Sequence, residues 1–448
     1  MSLASSLGVL RGAGFAPVSV DTAVEALDDG PIEAARLVAI SVPMHTALRL
    51  GALVARRVKR VNPDAHVCFF GLYAALNAPY LLAGGGGDSA IAGEFEGPLV
   101  ALARALDRGD EPRLLAPAIP GLALPGRAAS PLLTKTPAAQ PVRDGLPPLR
   151  SYAGLERDGE VVPAGYVEAT RGCHHTCRHC PITPVYGGRF TVVPREVVLA
   201  DARAQIAAGA RHLTFGDPDF FNGPGHSLRI CRALHAEFPW LSFDATIKIE
   251  HLLQHARLLP ELAELGCLFV VSAVESLSDH VLEKLAKGHT RADIAAALAA
   301  LDRVGIALRP SLLPFTPWTT LDDYLDLLGF VAEHDLAEHV DPIHFAIRLL
   351  IPPGSAVLDD PDGTPWLGGL DAERFTYRWS HPDPRLDRLQ EMIAALVEAA
   401  AAGGESARTT FAAIWKAAFT AAGQPVPAPP VPATRRGKPP RLTEDWFC

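Results

Sequence analysis

The sequence is poor in several features that mark particular protein classes. It has 7 cysteines in 448 residues, too few for a scaffold held by disulfides, and the number is odd. Its 41 Lys and Arg face 50 Asp and Glu, and a net charge of −9 argues against a general nucleic-acid or membrane-surface binder. Residues 1–10 have neither a basic flank nor a long apolar run. We therefore predict no secretory signal and expect a reducing, cytoplasmic location.

One segment lacks charge altogether. Ala65–Gly87 is 23 residues without Asp, Glu, Lys or Arg, which is long enough to cross a membrane. It is interrupted by Asn77, Pro79 and the glycine run 84–87, which divide it into strand, loop and turn. We therefore interpret it as buried α/β core and predict no membrane partner.

The remaining composition is that of a globular protein with several domains. Apolar residues make up 48% of the chain and charged residues 20%. Prolines are concentrated locally, with nine of them in residues 111–150, which predicts a linker without regular helix or central strand. A second Pro-rich run, residues 425–440, predicts a flexible tail.

Strand and helix patterns alternate on both sides of that linker. Over residues 1–106 the alternation predicts a doubly wound, Rossmann-like parallel sheet. Its predicted strands are Pro17–Val20, Leu37–Val42 and His66–Phe70, and its predicted helices are Leu3–Gly12, Ala47–Val61 and Leu99–Leu106.

A longer block carries six strand-then-helix units. The predicted strands cover residues 166–170, 212–216, 241–247, 267–274, 306–313 and 344–350. Six parallel strands are too few for a closed eight-stranded barrel, so we expect an open (β/α)6 barrel with its chemistry at the C-terminal strand ends. The expected segments are the sheet at 1–106, the linker at 107–160, the barrel at 161–356, a helical extension at 357–424 and the tail at 425–448.

Three cysteines lie in one loop directly after the first barrel strand. Residues 172–181 read GCHHTCRHCP, which spaces Cys173, Cys177 and Cys180 as CxxxCxxC. Three thiolates can hold three irons of a cubane iron–sulfur cluster and leave the fourth iron open to a ligand. A zinc site that combines two or three of the cysteines with a loop histidine is the alternative.

This loop resembles that of the radical S-adenosylmethionine (SAM) superfamily, whose partial (β/α)6 barrel begins in the same way. The resemblance covers Val162–Ser355. It implies that the open iron chelates the amino and carboxylate groups of SAM, and that one-electron reduction then yields a 5′-deoxyadenosyl radical. It also implies an electron donor such as a flavodoxin or ferredoxin. The family usually has an aromatic residue near the adenine just before the last cysteine, and here that position is His179, which can still stack.

The resemblance implies SAM contacts at two further strand ends. Residues 216–221 read GDPDFF, where the family contacts the methionine amino group, and we assign this role to Asp217, with Asp219 as substitute. An Asx-capped turn is the alternative. Glu275 and Ser276 resemble the "ES…vL..l.Kg" stretch of related enzymes, which implies that Glu275 accepts from the ribose hydroxyls. The alternative is a helix N-cap at Ser276 or Ser278 with Glu275 as its neighbour.

Two arginines lie in apolar runs and need partners. Arg309 and Arg348 fall within the fifth and sixth predicted strands, where an unpaired charge is rarely buried. We interpret them as contacts to a carboxylate or phosphate, or equally as structural salt bridges. The cysteines outside the loop, Cys68, Cys231 and Cys267, are predicted core residues.

The N-terminal domain resembles the cobalamin-binding domain of such enzymes. The features that carry this resemblance are Leu37–Pro43, His66–Phe70 and the Gly-Glu-Phe-Glu sequence at 93–96, similar to a "GExE" element. The D-x-H-x-x-G motif that supplies a cobalt ligand is absent, so cobalamin stays an open cofactor and a scaffold domain is the alternative.

The narrower resemblance is to radical SAM proteins with a CUAEP or CCAEP tail. It rests on the stretches FTPWTT at 315–320 and RLLIPPGS at 348–355. It implies a radical-initiated modification, methyl transfer being one form, of a peptide or a small natural product. The alternatives are a rearrangement without cobalamin, and a zinc- or cluster-bearing binding or regulatory protein without radical catalysis.

The resemblance also leads us to expect incomplete chain ends. A strand normally precedes the first helix in this domain type, so we expect a gap or a weakly paired strand between Pro17–Val20 and Leu37–Val42. The resembled family ends in Cys, then Cys or selenocysteine, then Ala-Glu-Pro, and a selenocysteine codon is usually read as stop. Cys448 is therefore a candidate redox-active residue on a flexible arm, the alternative being an ordinary tail.

Overall fold

The N-terminal sheet is built from the short apolar runs that the sequence predicts as strands. The structure is a computed structural model that describes residues 2–84, 86–111, 118–133, 139–360 and 362–443. The strands, in their order across this sheet, are β1 (Leu37–Ser41), β2 (His66–Phe70), β3 (Ser89–Ile91) and β4 (Leu122–Ala123). The first three are parallel, and β4 is antiparallel to β3.

Five helices surround this sheet. They are α1 (Ser2–Gly12), α2 (Asp29–Glu33), α3 (His45–Val61), α4 (Leu72–Ala83) and α5 (Glu96–Arg108). The uncharged segment becomes β2 and α4, so it is a strand and a helix of the α/β core. Among the described residues, no helix is long and apolar enough to span a bilayer.

The predicted strand at Pro17–Val20 is wrong. These residues form no ladder, and the side chain of Val18 is 76% exposed. A short extended segment gains little unless a neighbour pairs with its backbone. Among the described residues β1 pairs with β2 alone, so β1 is an edge of the sheet on the side where the sequence predicts a gap.

The second sheet holds seven strands in the order β12-β11-β10-β9-β6-β5-β15. In chain order, the strands of this sheet and of two short ribbons are β5 (Gly154–Arg157), β6 (Glu160–Val167), β7 (Thr170–Gly172), β8 (Phe190–Val192), β9 (His212–Phe215), β10 (Ser242–Thr246), β11 (Cys267–Glu275), β12 (Ala307–Leu312), β13 (Leu367–Asp371), β14 (Thr376–Trp379) and β15 (Arg441–Leu442). The five strands β6, β9, β10, β11 and β12 are parallel and form the predicted partial barrel.

Helices follow the parallel strands and bury the apolar outer face of the sheet. They are α6 (Thr183–Tyr186), α7 (Arg195–Ala207), α8 (Pro224–Glu237), α9 (Ile249–Gln254), α10 (Leu259–Glu264), α11 (Asp279–Lys284), α12 (Arg291–Asp302), α13 (Leu321–Glu333), α14 (Pro384–Ala402) and α15 (Ala407–Ala421). Capping boxes start α12 at Thr290 and α13 at Thr320, where each threonine and the Asp three residues later satisfy backbone donors.

The predicted sixth barrel strand is reduced to one bridge. Residues 344–350 contribute only a parallel bridge between Phe315 and Arg348. Pro342 instead starts a 3-10 turn that ends at Phe345, and the ring of His344 accepts from the backbone of Leu312 at the end of β12. A side chain thus takes the place of a ladder hydrogen bond, because the 3-10 turn does not present extended backbone to β12.

The C-terminal segment returns to the barrel. Strand β15 pairs antiparallel with β5, the outermost hairpin strand of the sheet. Arg436 contacts both carboxylate oxygens of Asp302 at 2.7 Å, and the indole of Trp415 donates to the Pro427 carbonyl. Part of the segment predicted as a flexible tail is therefore anchored to the barrel.

Candidate functional site

The loop with the three cysteines begins where β7 ends, and Gly172 sets its direction. The φ angle of Gly172 is +79°, in the left-handed region. A Cβ atom there would lie 2.4 Å from the ring of Tyr186 and 2.5 Å from the carbonyl oxygen of Arg189. Only glycine fits this backbone without moving the tyrosine ring and the chain behind it.

Backbone contacts then fix the middle of the loop. The Arg178 amide donates to the Leu285 carbonyl at 3.0 Å, and the Ser355 hydroxyl donates to the Arg178 carbonyl at 3.3 Å. The Thr183 hydroxyl donates to the Cys177 carbonyl at 2.8 Å. The cysteines therefore lie on a loop that is held by hydrogen bonds with Leu285, Ser355 and Thr183.

The three cysteines have low solvent exposure, and they lie near enough for their charges to interact. Cys177 is buried, Cys173 and Cys180 are half-buried, and none of the three forms a disulfide. Burial raises the pKa of Cys173 to about 11 and that of Cys180 to about 12, and the charge of Cys177 raises both further. Without a metal, Cys173 and Cys180 hold their protons, whereas metal binding deprotonates a coordinating thiol. This donor set fits a metal–sulfur centre.

Glu275 ends β11 beside this loop and carries a strained backbone. Its φ angle is +63°, which is uncommon for a residue with a side chain and typical of functional positions. The carboxylate atom Oε1 lies 3.2 Å from His179 Nε2 and 3.2 Å from Lys287 Nζ. Burial alone would raise the pKa of Glu275, but the charge of Lys287 and the contact with His179 lower it below its usual range. Two predicted site residues, His179 and Glu275, therefore lie together.

Lys287 is a residue that the sequence analysis missed. It is 3% exposed, and although burial lowers its pKa, the nearby charge of Glu275 raises it above the usual value. A buried ammonium between a carboxylate and the thiols can offset the negative charge of a thiolate-bound cluster. The "Kg" at the end of the recognised stretch contained this lysine, but no role was assigned to it.

Asp217 lies against the start of the cysteine loop rather than free in a cavity. Its Oδ2 accepts from the Ala169 amide at 3.0 Å and its Oδ1 from the Thr170 hydroxyl at 2.6 Å. Burial raises the pKa of Asp217 to about 7, against the lowering effect of these hydrogen bonds. The carboxylate thus fastens the segment between β6 and β7, and its contact to SAM stays a prediction.

The raised pKa of Asp217 predicts a stability change with pH. Since the folded pKa exceeds the unfolded value of 3.8, the charged carboxylate costs stability progressively as the pH rises from about 4 to about 7. Asp217→Asn should therefore raise the free energy of unfolding at pH 8, by up to about 4 kcal/mol, and flatten its pH dependence. Urea unfolding at pH 6 and pH 8 measures this, with exposed Asp158→Asn as the control. A tenfold loss of SAM affinity without stabilisation would instead support the predicted ligand role.

The other predicted site residues have protein partners. The Ser276 hydroxyl accepts from the Ser278 amide at 3.1 Å, in the turn before α11. Arg309 pairs with Asp341 at 2.6 Å, while its Nη1 has no partner among the described residues. Arg348 pairs with Asp387 at 2.6 Å. The cofactor contacts of Ser276 and Arg309 stay predictions, and Cys448 lies outside the described residues.

Arg171 joins the N-terminal sheet to the cysteine loop. It lies two residues before Cys173, and its guanidinium contacts Glu94 at 3.0 Å, Glu168 at 3.2 Å and also Glu96. Glu94 and Glu96 are the two acids of the GExE element that follows β3. The carboxyl edge of the N-terminal sheet, where ligands of such sheets bind, therefore lies beside the loop.

Replacing Gly172 should disturb the cysteine loop selectively. Gly172→Ala introduces both a left-handed alanine and the contact with Tyr186, so we expect loss of most of the iron that the protein retains after reconstitution. Gly187→Ala is the matched control, since its φ is +56° but no heavy atom lies within 4 Å of its Cβ, and it should cost only ~1 kcal/mol. Equal iron content in the two variants would contradict this reading of Gly172.

Sequence comparison places a known family over this site. Residues 167–330 match the Radical SAM superfamily. The chain is 29% identical over 182 residues to ribosomal protein uS12 methylthiotransferase RimO of Geobacter sulfurreducens, which is 38% of this chain and 39% of that protein. It is 28% identical over 215 residues to tRNA-2-methylthio-N(6)-dimethylallyladenosine synthase of Sorangium cellulosum, or 42% and 41% of the two chains. The chain thus spans about two-fifths of these curated relatives.

Solved structures resemble a larger part of the chain. The radical SAM methyltransferase TsrM from Kitasatospora setae, solved with tryptophan substrate and a SAM analogue, superposes with a TM-score of 0.59 at 19% identity over 74% of this chain and 68% of that one. The cobalamin-dependent radical enzyme OxsB, solved with aqua-cobalamin and SAM, superposes with a TM-score of 0.67 at 15% identity over 88% and 63%. At these identities the likeness concerns the fold, and it confirms the predicted fold class.

Proposed function

This chain carries the radical SAM domain of an iron–sulfur enzyme, and from that premise we propose that it reductively cleaves SAM to start a radical modification of a peptide or a small natural product. The match over residues 167–330 confirms the resemblance predicted from the CxxxCxxC loop. The observation that carries the proposal is the placement of a buried acid, Glu275, 3.2 Å from His179 on the loop that contains the three cysteines.

The residues of the site have separate roles in the proposed reaction. When bound, a four-iron cluster supplies an open iron for the amino and carboxylate groups of SAM and the electron that cleaves the sulfonium. Cys173, Cys177 and Cys180 would hold it. His179 and Lys287 both contact Oε1 of Glu275, so Oε2 can accept from a ribose hydroxyl. The ammonium of Lys287 offsets negative charge on the thiolates and keeps Glu275 ionised.

The proposed substrate class rests on the net charge of the chain and on how little of the curated relatives it matches. The curated relatives are named for action on a ribosomal protein and on tRNA, but this chain spans about two-fifths of their length. A net charge of −9 disfavours a polyanionic substrate such as RNA. A peptide or small molecule is therefore the substrate that we propose.

Cobalamin fits the described residues less well than the cluster does. The backbone of Leu132 covers Gly93, since a Cβ there would lie 2.2 Å from the Leu132 carbonyl oxygen. His45, the histidine that follows β1, places its Nε2 2.7 Å from the Arg374 carbonyl. That contact occupies Nε2 of His45, and Gly93 has no side chain with which to bind cobalt. We therefore derive no step through cobalamin, and methyl transfer by that route stays a prediction.

One experiment separates the enzyme from a binding protein. The protein is purified anaerobically, reconstituted with iron and sulfide, reduced with dithionite and given SAM. We expect about four irons and four sulfides per chain, and 5′-deoxyadenosine with methionine as products. Stoichiometric zinc without labile sulfide would overturn the proposal and favour the regulatory alternative. Cobalt measured on the same sample tests the cobalamin prediction.

A further inference from the structure

We propose that His175, Asp219 and His251 form a second metal site, for a divalent transition-metal ion such as Zn²⁺, distinct from the site of the three cysteines. The three residues come from separate segments of the chain. His175 lies on the cysteine loop, Asp219 follows β9 and His251 lies on α9 after β10. All three segments follow the carboxyl ends of barrel strands, where the chemistry of such barrels is placed.

The distances suit metal coordination. One oxygen of Asp219, Oδ2, lies 3.4 Å from His175 Nε2 and 2.8 Å from His251 Nδ1. One ligand atom from each residue lies within 4.8 Å of the other two. Ligands at about 2.0–2.2 Å from a tetrahedral zinc ion are separated from one another by about 3.3–3.6 Å, so a small adjustment brings all three onto one ion.

The three atoms are also left without other partners. Apart from their contacts with one another, Oδ2 of Asp219, Nε2 of His175 and Nδ1 of His251 are buried and have no hydrogen-bond partner in the described part of the chain. Asp219 is 1% exposed and His251 6%. Buried polar atoms are normally satisfied, and here a single carboxylate oxygen faces two ring nitrogens. A metal ion satisfies all of them at once.

The arrangement has the support and the access that a metal site needs. The Phe221 amide donates to Oδ1 of Asp219 at 3.1 Å, which turns Oδ2 toward the histidines. His175 and His251 line a cavity of about 540 Å³ that also contacts Thr176 and His255. Two of the three proposed ligands line this cavity, which leaves a coordination position for water or substrate, as catalytic zinc sites do.

Lys248 contacts the other ring nitrogen of His175 and disfavours metal binding by this histidine. Its Nζ lies 3.1 Å from Nδ1 of His175, and Glu250 Oε2 lies 3.7 Å from the same nitrogen. Coordination through Nε2 places the ring proton on Nδ1, where Glu250 is the acceptor and the ammonium is a poor neighbour. Removing the ammonium also removes repulsion of the incoming cation. Lys248→Met should therefore tighten zinc binding about tenfold.

The test uses the reconstituted, anaerobic protein with its cluster in place and Zn²⁺ as the probe. After excess zinc is removed, zinc, iron and sulfide are measured, and zinc X-ray absorption identifies the neighbouring atoms. We expect one zinc per chain beside unchanged iron, with nitrogen and oxygen neighbours. Zinc with sulfur neighbours, or no retained zinc, would overturn the proposal. Because the readout needs no SAM, it stays informative even if the proposed cleavage is not observed.

Three variants assign the ligands. His251→Gln and Asp219→Asn should each weaken zinc binding at least about 100-fold while iron and sulfide stay unchanged. His255→Gln is the matched control, because its ring lines the same cavity 5.6 Å from that of His251 but lies outside the triad. Wild-type zinc retention in both ligand variants, or weaker binding in Lys248→Met, would refute the assignment. The absorption spectrum of the unmodified protein decides the matter even if a variant misfolds.

Discussion

Cys177→Ala should lower the formation of 5′-deoxyadenosine from SAM by at least about 1,000-fold, which corresponds to a loss of about 4 kcal/mol of transition-state stabilisation. Cys177 is a buried residue, and the hydroxyl of Thr183 donates to its carbonyl oxygen. With two thiolates left, a cubane loses one of its three protein anchors, and its iron content should fall with the activity. Chromatography of the nucleoside product and iron analysis of the same sample measure both losses.

The control for this variant is a cysteine outside the loop. Cys231→Ala removes a thiol that lies buried in the apolar core of the barrel, so its cost is a small cavity and not a ligand. It should keep full iron content and wild-type cleavage, with a free energy of unfolding lower by about 1 kcal/mol. Stoichiometric iron and cleavage retained in Cys177→Ala would refute the assignment of that cysteine.

Arg171→Met should destabilise the protein by about 3–5 kcal/mol, because it leaves the carboxylates of Glu94 and Glu96 buried without a cation. The loss should be largest above neutral pH. Burial already raises the pKa of Glu94, and removing Arg171 raises it further. A folded pKa above the unfolded value means that the stability of the variant is highest near pH 4–5 and falls as the pH rises. Thermal unfolding at pH 5 and pH 8 measures both effects.

Two companion variants make this prediction specific. Arg157→Met removes an exposed arginine that pairs with exposed Asp158, its one salt-bridge partner in the described part of the chain, and it should change stability by less than about 0.5 kcal/mol. Adding Glu94→Gln and Glu96→Gln to Arg171→Met removes the unpaired charges and should restore part of the lost stability. A loss of stability that does not depend on pH, or no recovery in the triple variant, would show that packing, and not charge, accounts for the contribution of Arg171.

Sequence patterns correctly predicted the strands that are determined by residues near one another in the sequence. β9, β10, β11 and β12 are short apolar runs bounded by turn residues, and their bounds agree with the predicted strands to within one residue or two. The cysteine loop could also be predicted, because the spacing of its cysteines and its position after a strand can both be seen in the sequence. The two strand predictions that were wrong concern segments whose structure depends on contacts with distant residues. Residues 342–345 form a 3-10 turn that leaves 344–350 with one bridge at Arg348, and Pro17–Val20 has no neighbouring strand among the described residues.

The site was predictable only where the motif was contiguous. His179 and Glu275 were assigned from short motifs, and the structure brings them within 3.2 Å of each other. Lys287 was contained in a recognised stretch, but only burial beside Glu275 gives it a role. His175 and His251 are 76 positions apart, and nothing in their spacing predicts that they share Asp219. Convergence of this kind depends on how strands are ordered in the sheet.

The pairing of β15 with β5 also has a consequence for how the chain is synthesised. Arg441 contacts Glu156 across 285 residues of sequence, so the last strand of the sheet leaves the ribosome long after the strand that it covers. At about 5–20 residues per second, the hairpin edge stays open for tens of seconds. An unpaired strand edge can recruit another chain. We therefore expect the nascent protein to be prone to pairing with another chain at that edge until its C-terminal segment arrives to cover it.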